Sequence, residues 1–365
     1  MKIPVAKPAL IGKEREYVLD CIDTEWISSN GKYIAKFEES FCKYIDVKHS
    51  LTCSNGTVAL HLPLLAMGIG PGDEVIVPTL TYIATANAVK YVGAELVLAD
   101  SDLNSWNITA DLIRPKITSK TKAIIIVHLY GLPVDMDPIM KLAEEFGLYV
   151  IEDCAESLGA TYKGRQTGSI GHVGTFSFFG NKTITTGEGG MVTTNDDKLA
   201  AQMRLLKGQG MDPNRRYWHP IVGYNYRMTN IQAAIGLAQL EQVQWHLDQR
   251  TRIAKTYDRL ISDSGISVRT QACNEFSTHS YWMYTVVLDN GGAERRDKVM
   301  QLMAELGVET RPVFYNMHVM PPHRQDCVFK NAELISCLGI NLPTFSQLTD
   351  EQVAYVVSAL KKSVG

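Results

Sequence analysis

The sequence predicts an α/β protein with a mainly parallel sheet and a smaller α+β unit towards the C-terminal end. Short apolar runs alternate with amphipathic stretches of helical length in the first half of the chain. This alternation is typical of strand–helix–strand units. The runs are rich in Val and Ile without polar alternation, which favours strands that are covered on both faces.

The individual elements follow from these patterns in chain order. Strands are predicted at 74–78, 94–99, 123–128 and 148–153, with helices at 83–92 and 138–146. Residues 231–262 contain no proline and one glycine, which favours a long helix or a bent pair of helices. Strands at 281–288 and 308–314 and helices at 296–306 and 350–362 form the predicted smaller unit. We place the boundary near residue 245, which gives domains at 1–245 and 246–365.

Composition argues against several classes of protein. The 365 residues are 45% apolar and 21% charged with a net charge of −3, so no basic field indicates a nucleic-acid or membrane-surface partner. We see no secretory signal and no apolar run of membrane-spanning length, and we therefore expect a cytoplasmic protein. The seven cysteines lack metal-binding spacing, and two prolines separate His318 from His323, so we expect no metal site.

The most informative segment is residues 175–190, TFSFFGNKTITTGEGG, in which a strand-like aromatic run delivers Lys182 into a polar, glycine-rich bend. A partly desolvated amine is easier to deprotonate and can attack a carbonyl carbon. The segment resembles a nucleotide-binding P-loop only superficially. Five residues rather than four separate Gly174 from Gly180, and Asn181 stands between Gly180 and the lysine. We reject a nucleotide hydrolase for these reasons.

Other segments carry weaker signals that each have an ordinary structural alternative. Asp153 ends an apolar strand, where it could pair with a pyridine nitrogen or act as a plain strand-end aspartate. Residues 54–57 precede an apolar helix and could bind a phosphate or only cap that helix. Tyr82 follows a strand and could stack on a planar ring or lie at a rim. The loop 223–230 could be solvated or could reach an anion.

These signals occur in a fixed order: anion-binding turn, stacking aromatic, strand-end Asp and strand-end Lys. The ordered set resembles fold-type I pyridoxal phosphate enzymes, which have an aspartate aminotransferase-like fold, and within them the DegT-type sugar-nucleotide aminotransferases. The resemblance covers nearly the whole chain, from Trp26-Ile27-Ser28-Ser29 to Arg311-Pro312-Val313-Phe314-Tyr315. It implies pyridoxal 5'-phosphate as the cofactor and a homodimer with shared active sites.

The resemblance also implies roles for individual residues. Lys182 would hold the cofactor covalently and act as general acid and base, and Asp153 would contact the pyridine nitrogen. The other expected cofactor contacts are Ser54, Asn55, Gly56, Thr57, Tyr82, Glu156, Ser177 and, from the second subunit, Asn225. The expected substrate contacts are Trp26, Ser28, Ser29, Arg311, Tyr315 and His318, with Arg215, Arg216 and His219 reaching a diphosphate from the partner subunit. For these substrate contacts a solvated loop remains the alternative.

The activity implied by the resemblance is transfer of an amino group from L-glutamate to C4 of a nucleotide-linked 4-keto-6-deoxy sugar. GDP-4-keto-6-deoxy-D-mannose is the preferred substrate on the resemblance alone, with dTDP- and UDP-linked sugars as alternatives. Some relatives carry histidine at the lysine position and perform dehydration, so Lys182 argues for amino transfer. A dehydratase that uses the same cofactor and a non-catalytic regulator with the same fold remain the rival functions. Relatives of this kind indicate a role in surface-polysaccharide synthesis.

Overall fold

The computed structural model describes residues 2–365, which form twelve α-helices, four short 3-10 helices and fourteen strands. The helices are α1 Glu14–Asp23, α2 Lys32–Ile45, α3 Gly56–Ala66, α4 Ile83–Tyr91, α5 Ala110–Ile113, α6 Met136–Phe146, α7 Asp197–Lys207, α8 Asn230–Leu240, α9 Val243–Ser264, α10 Gly292–Glu305, α11 Lys330–Leu338 and α12 Asp350–Val364. The strands are β1 His49–Cys53, β2 Glu74–Pro78, β3 Glu95–Ala99, β4 Thr121–Val127, β5 Tyr149–Asp153, β6 Thr161–Tyr162, β7 Arg165–Gln166, β8 Val173–Ser177, β9 Gly190–Thr194, β10 Val268–Thr270, β11 Ser277–Thr278, β12 Tyr284–Leu288, β13 Arg311–Pro312 and β14 Gly339–Leu342.

A seven-stranded sheet in the order β1-β9-β8-β5-β4-β2-β3 is the main element of the first half of the chain. The pairs β2–β3, β2–β4, β4–β5 and β5–β8 are parallel, whereas β9 runs antiparallel to both β1 and β8. The mainly parallel α/β sheet that the sequence predicts is therefore confirmed. In such a sheet the carboxyl ends of the parallel strands meet at one edge, where ligands collect.

A second sheet, β10-β12-β14-β13, is entirely antiparallel and belongs to the C-terminal part of the chain. One apolar cluster joins the two sheets, because it contains Ile125 and Ile151 from the large sheet together with Val286 and Ile340 from the small one. The division into domains near residue 245 stays a prediction. No helix in the part of the chain described here combines the length and apolarity needed to cross a bilayer.

The predicted elements between residues 74 and 153 are confirmed within a few residues, and the helical region after Asn230 is a bent pair, α8 and α9. Two predicted strands are shorter than expected. Tyr281 has a φ of +49°, and this left-handed residue delays β12 until Tyr284. The strand predicted at 308–314 is mostly wrong: Val308 pairs with Ile3 near the N-terminus, and only Arg311–Pro312 pairs with β14.

A buried polar cluster next to the sheet edge supports β5. The Glu152 carboxylate accepts hydrogen bonds from the backbone N–H groups of Gly168, Ile170 and Gly171 at 2.9, 2.8 and 2.6 Å, and it lies 3.0 Å from His128 Nε2. Burial alone would raise the pKa of Glu152, but its hydrogen bonds outweigh that effect and lower the pKa. This carboxylate therefore holds the 168–171 turn against β5, the strand that ends at Asp153.

Candidate active site

A cavity of about 630 Å³ opens at the carboxyl-terminal edge of the parallel strands. Its volume is in the range of small-molecule sites in proteins. It combines residues from both sheets: Asn55, Gly56, Thr57, Val58, Leu60, Tyr82, Ala84, Tyr91, Asp153, Ala155, Glu156, Ser177, Phe179, Asn181, Lys182, Glu188, Trp282, Met283, Arg311, Pro312, Phe314 and Asn341. Nine residues expected from the sequence therefore meet in one place: Asn55, Gly56, Thr57, Tyr82, Asp153, Glu156, Ser177, Lys182 and Arg311.

One end of the cavity is suited to an anion. Helix α3 begins at Gly56, and its N-cap Asn55 accepts a hydrogen bond from Val58 N at 3.0 Å. The first N–H groups of a helix have no intrahelical acceptor and lie at the positive end of its dipole. A Cβ on Gly56 would lie 2.7 Å from Ser177 Cβ, so only glycine lets the helix approach this serine so closely. The geometry fits a phosphate held by backbone N–H groups and hydroxyls.

Lys182 lies in the turn between β8 and β9, with its half-buried side chain in the cavity. Burial lowers the pKa of Lys182, while the carboxylates of Glu156 and Asp153 oppose this change. A lowered pKa increases the fraction of unprotonated amine, which is the nucleophilic form. The ammonium nitrogen lies over the ring of Trp282, 3.7 Å from its centroid.

Asp153 ends β5 and is buried beneath the cavity. Its Oδ2 accepts a hydrogen bond from Thr85 Oγ1 at 2.8 Å, and its Oδ1 accepts one from Ala155 N at 3.1 Å. Burial raises the pKa of Asp153, which the hydrogen bonds from Thr85 and Ala155 and the charge of Lys182 partly counter. A buried carboxylate of this kind would be stabilised in its ionised form by a cationic ring nitrogen.

Glu156 is a second buried acid in the cavity. Its Oε2 accepts a hydrogen bond from Tyr130 N at 2.6 Å. Tyr130 has a φ of +56°, a conformation uncommon for an aromatic residue, and it lies in the turn that presents this N–H group. Burial raises the pKa of Glu156 to about 7, and Asp153 adds to the increase, while Lys182 and the Tyr130 N–H oppose it. This acid can therefore exchange protons near neutral pH.

Aromatic side chains form the rim of the cavity. Tyr82 is 57% exposed and lies at the N-terminus of α4, with its ring centroid 5.7 Å from that of Phe314. Because Phe314 follows β13 of the second sheet, this rim is made by both parts of the chain. The exposed face of Tyr82 is free to stack on a planar ligand.

Several expected contacts do not line the cavity of this chain. Ser54 donates its backbone N–H to Tyr226 O, which ties the loop before α8 to the start of α3. Trp26 and Ser28 lie beside the N-terminus of α8, where their carbonyls accept hydrogen bonds from Asn230. The cavity lining also lacks Ser29, which lies near these two residues, and Arg215, Arg216, His219 and Asn225, which lie in the loop between α7 and α8, as well as Tyr315 and His318.

The loop between α7 and α8 is exposed and rich in cationic and aromatic side chains. Arg215 stacks on Trp218 and Arg216 on Tyr217, with guanidinium-to-centroid distances of 4.2 and 4.9 Å. Tyr217 is 75% exposed, and Asn225 is an exposed residue that accepts a hydrogen bond from Arg227. A contribution of Asn225 and the arginines to a partner's site stays a prediction.

The expected substrate contacts near β13 have different environments. Arg311 lines the cavity, and its exposed side chain places Nη2 3.8 Å from Glu309 Oε1. Tyr315, four residues further along the chain, is exposed. His318 is buried instead, and its ring nitrogens lie 2.8 Å from Thr79 Oγ1 and 3.1 Å from Glu333 Oε1. Both ring nitrogens are occupied, so the structure argues against His318 as a ligand contact, and we omit it from the proposed site.

Sequence reasoning missed four residues that shape this cavity. The Thr85 hydroxyl donates a hydrogen bond to Asp153, and the backbone N–H of Tyr130 donates one to Glu156. Lys182 is flanked by Asn181 and Trp282. Thr85 carried a weak signal, since it is one helical turn from the cavity's rim residue Tyr82. Trp282 carried none, because 100 residues separate it from Lys182 in the sequence.

One group of metal-ligating side chains lies close together in the described residues: His128, Glu152 and Cys154. His128 Nδ1 accepts a hydrogen bond from Val134 N, and Glu152 accepts three backbone N–H groups. The ring nitrogens of His128 and the carboxylate of Glu152 are therefore already occupied, and Cys154 donates from Sγ to Glu152 O. We interpret the cluster as structural support for β5.

Comparison with known proteins gives a consistent result. Residues 8–361 match the DegT/DnrJ/EryC1/StrS aminotransferase family. The chain is 56% identical to GDP-perosamine synthase of Caulobacter vibrioides, over 98% of this chain and 97% of that protein. It is 51% identical to GDP-perosamine synthase of Escherichia coli O157:H7, over 99% of this chain and 98% of that protein. Among solved structures, a candidate sugar aminotransferase of Streptococcus pneumoniae in its PMP form superposes with a TM-score of 0.94 at 27% identity, covering 100% of this chain and 98% of that one.

Proposed function

The chain belongs to the DegT/DnrJ/EryC1/StrS aminotransferase family, and from this premise we propose that it is a pyridoxal phosphate-dependent aminotransferase that converts GDP-4-keto-6-deoxy-D-mannose to GDP-perosamine with L-glutamate as the amino donor. One observation carries the proposal: the same cavity is lined by Lys182, by the buried Asp153 and by the N-terminus of α3. The nucleotide and sugar rest on the two GDP-perosamine synthases, which match nearly the whole chain.

The residues of the cavity fit the cofactor. The glycine cradle at Gly56 with Thr57 and Ser177 suits its phosphate, the exposed ring of Tyr82 suits its planar ring, and the buried Asp153 suits its pyridine nitrogen. Pyridoxal phosphate bound there supplies an aldehyde carbon that takes up and returns an amino group, and a ring that withdraws electrons.

The protein's own groups provide the remaining chemistry. Lys182 would hold the cofactor covalently and, once released, would move protons at the reacting carbon, for which its lowered pKa is favourable. Asp153 would keep the ring nitrogen protonated by its negative charge, and the hydrogen bond from Thr85 orients that carboxylate. Glu156, which accepts the hydrogen bond from Tyr130 N, would share a proton with the ring's phenolic oxygen.

Replacing Gly56 with alanine tests the phosphate end of the cavity. We expect Gly56→Ala to bind pyridoxal phosphate about tenfold more weakly, because the new Cβ would clash with Ser177 and push the N–H groups away. Fluorescence titration of the full-length protein with the cofactor measures this change. Gly70→Ala is the matched control, since its Cβ would meet only Val92 O at 3.7 Å. Equal affinities of both variants would contradict this assignment.

A panel of nucleotide-linked 4-keto-6-deoxy sugars with L-glutamate tests the reaction itself. We expect glutamate-dependent formation of an amino sugar from the GDP-linked substrate, detected by mass spectrometry. Preferential conversion of dTDP- or UDP-linked sugars would show that the substrate carries that nucleotide instead of GDP. Loss of the 3-hydroxyl without amino transfer would indicate a dehydratase, and binding without turnover would indicate a regulator.

We also propose a cytoplasmic homodimer with shared active sites that serves O-antigen or other lipopolysaccharide synthesis. The exposed loop between α7 and α8 supports the dimer, because it holds the amide of Asn225 and the guanidinium groups of Arg215 and Arg216 away from their own cavity. Guanidinium groups are well suited to a diphosphate. A strictly monomeric protein in sedimentation experiments would contradict the shared site.

A further inference from the structure

A strap formed by residues 279–283 connects the second sheet with the lysine-bearing turn. Ser280 N donates to Gly131 O at 3.0 Å, which docks the strap beside the turn that also contacts Glu156. Trp282 in this strap is buried, and its Nε1–H donates to Asn181 O at 2.9 Å. The indole therefore contacts Lys182 through its face and the preceding residue through its edge.

The conformation of the strap is strongly determined. The buried Arg250 donates from Nη1 to Tyr281 O at 3.3 Å, Trp282 O at 2.9 Å and Thr344 O at 3.2 Å. Tyr281, in its left-handed conformation, donates its backbone N–H to His279 Nδ1 at 2.8 Å. The rings of these two residues stack with their centroids 4.0 Å apart and their planes at 4° to each other. These contacts leave the indole of Trp282 little freedom to move.

We propose that Trp282 is a positioning residue for Lys182, whose indole face stabilises the ammonium form and whose N–H group holds the turn that carries the lysine. A cation within about 6 Å of an indole centroid is attracted by the negative face of the ring, and the attraction strengthens where water is excluded. At 3.7 Å, Lys182 Nζ is well inside that range.

The indole has two opposing effects on Lys182. Its bulk excludes water, which disfavours the ammonium, and its ring face attracts the ammonium. An apolar side chain of similar size retains the first effect and removes the second. A lysine that must alternate between amine and ammonium during amino transfer would depend on this balance. That use of the pair rests on the proposed function, whereas the contact itself does not.

The test is the pH dependence of Lys182 acetylation in the full-length chain freed of cofactor. Limiting acetic anhydride labels only unprotonated amines, and mass spectrometry quantifies the peptide that contains Lys182. For Trp282→Leu we expect the midpoint of the acetylation rate against pH to move to lower pH. Acetylation of Lys182 below that midpoint is then about tenfold faster, while the plateau of the rate at high pH is the same as in the wild type. Trp282→Phe retains a ring face and is expected to stay within about threefold of the wild type.

Two results would overturn the proposal: an unchanged midpoint in Trp282→Leu, or faster labelling at every pH including the plateau, which would show that the indole only shields the amine. Trp245→Leu, in α9, is the control for loss of a tryptophan. Trp282→Met replaces the leucine variant if that variant does not fold. Failure of the proposed function would appear separately, as no borohydride-stable attachment of pyridoxal phosphate at Lys182 in the wild type.

Discussion

Lys182→Ala is expected to lose the covalent attachment of pyridoxal phosphate and to reduce turnover by about 10⁴-fold or more. The variant lacks both the nucleophilic amine and the group that moves the proton at the reacting carbon, and each role alone is worth orders of magnitude. The fold should persist, because alanine removes a desolvated amine without opening a sealed core. The measurements are the visible absorbance of the cofactor, borohydride trapping with peptide mass spectrometry, and initial rates with L-glutamate and the keto sugar.

Lys163→Ala is the matched control, because this lysine is exposed, its ion-pair partner Asp137 is exposed as well, and its other contacts are with the rings of Tyr162 and Phe276. It should retain the wild-type spectrum and rate, since exposed ion pairs contribute little. Borohydride trapping of the cofactor at a lysine other than Lys182 would refute the assignment. Retention of more than about a hundredth of the wild-type rate would refute it as well, given the size of the expected loss.

Asp153→Asn is expected to reduce turnover by about 10²- to 10³-fold while leaving the covalent attachment at Lys182 intact. Asparagine has nearly the same shape, although its single carbonyl oxygen can accept only one of the two hydrogen bonds that Thr85 and Ala155 donate to Asp153. It lacks the negative charge that would keep a ring nitrogen protonated, and preorganised charges of this kind are worth about this factor. The variant therefore separates the electrostatic role of this residue from the attachment of the cofactor.

Borohydride trapping and initial rates measure the two effects of Asp153→Asn separately. Asp137→Asn, at an exposed position, is the control for removal of one carboxylate and should have a wild-type rate. Wild-type turnover in Asp153→Asn would refute the proposed contact with the pyridine nitrogen. Loss of the covalent attachment together with turnover would show instead that the substitution disturbs the cavity as a whole.

The parts of the fold that were predictable depend on local sequence. The Val- and Ile-rich strand that ends at Asp153 and the cap at Asn55 are determined by residues a few positions apart. Predictions were weaker where distant segments compete. The strand expected at 308–314 is short because Val308 pairs with Ile3, and the strand expected from Tyr281 begins at Tyr284 because Tyr281 takes a left-handed conformation. Neither the pairing with Ile3 nor the left-handed conformation of Tyr281 has a signal in the sequence of its own segment.

The sequence by itself determined the α/β class, the strand end that carries Asp153, the helix start at Gly56 and the turn that carries Lys182. Their order along the chain also determined the resemblance to a family. Only the tertiary structure decided that Trp282 covers Lys182, that Tyr130 binds Glu156 and that His318 is occupied by Thr79 and Glu333. The physical reason is that caps and hydrophobic periodicity act over a few residues, whereas these contacts join segments that are far apart in the sequence and meet only in the folded chain.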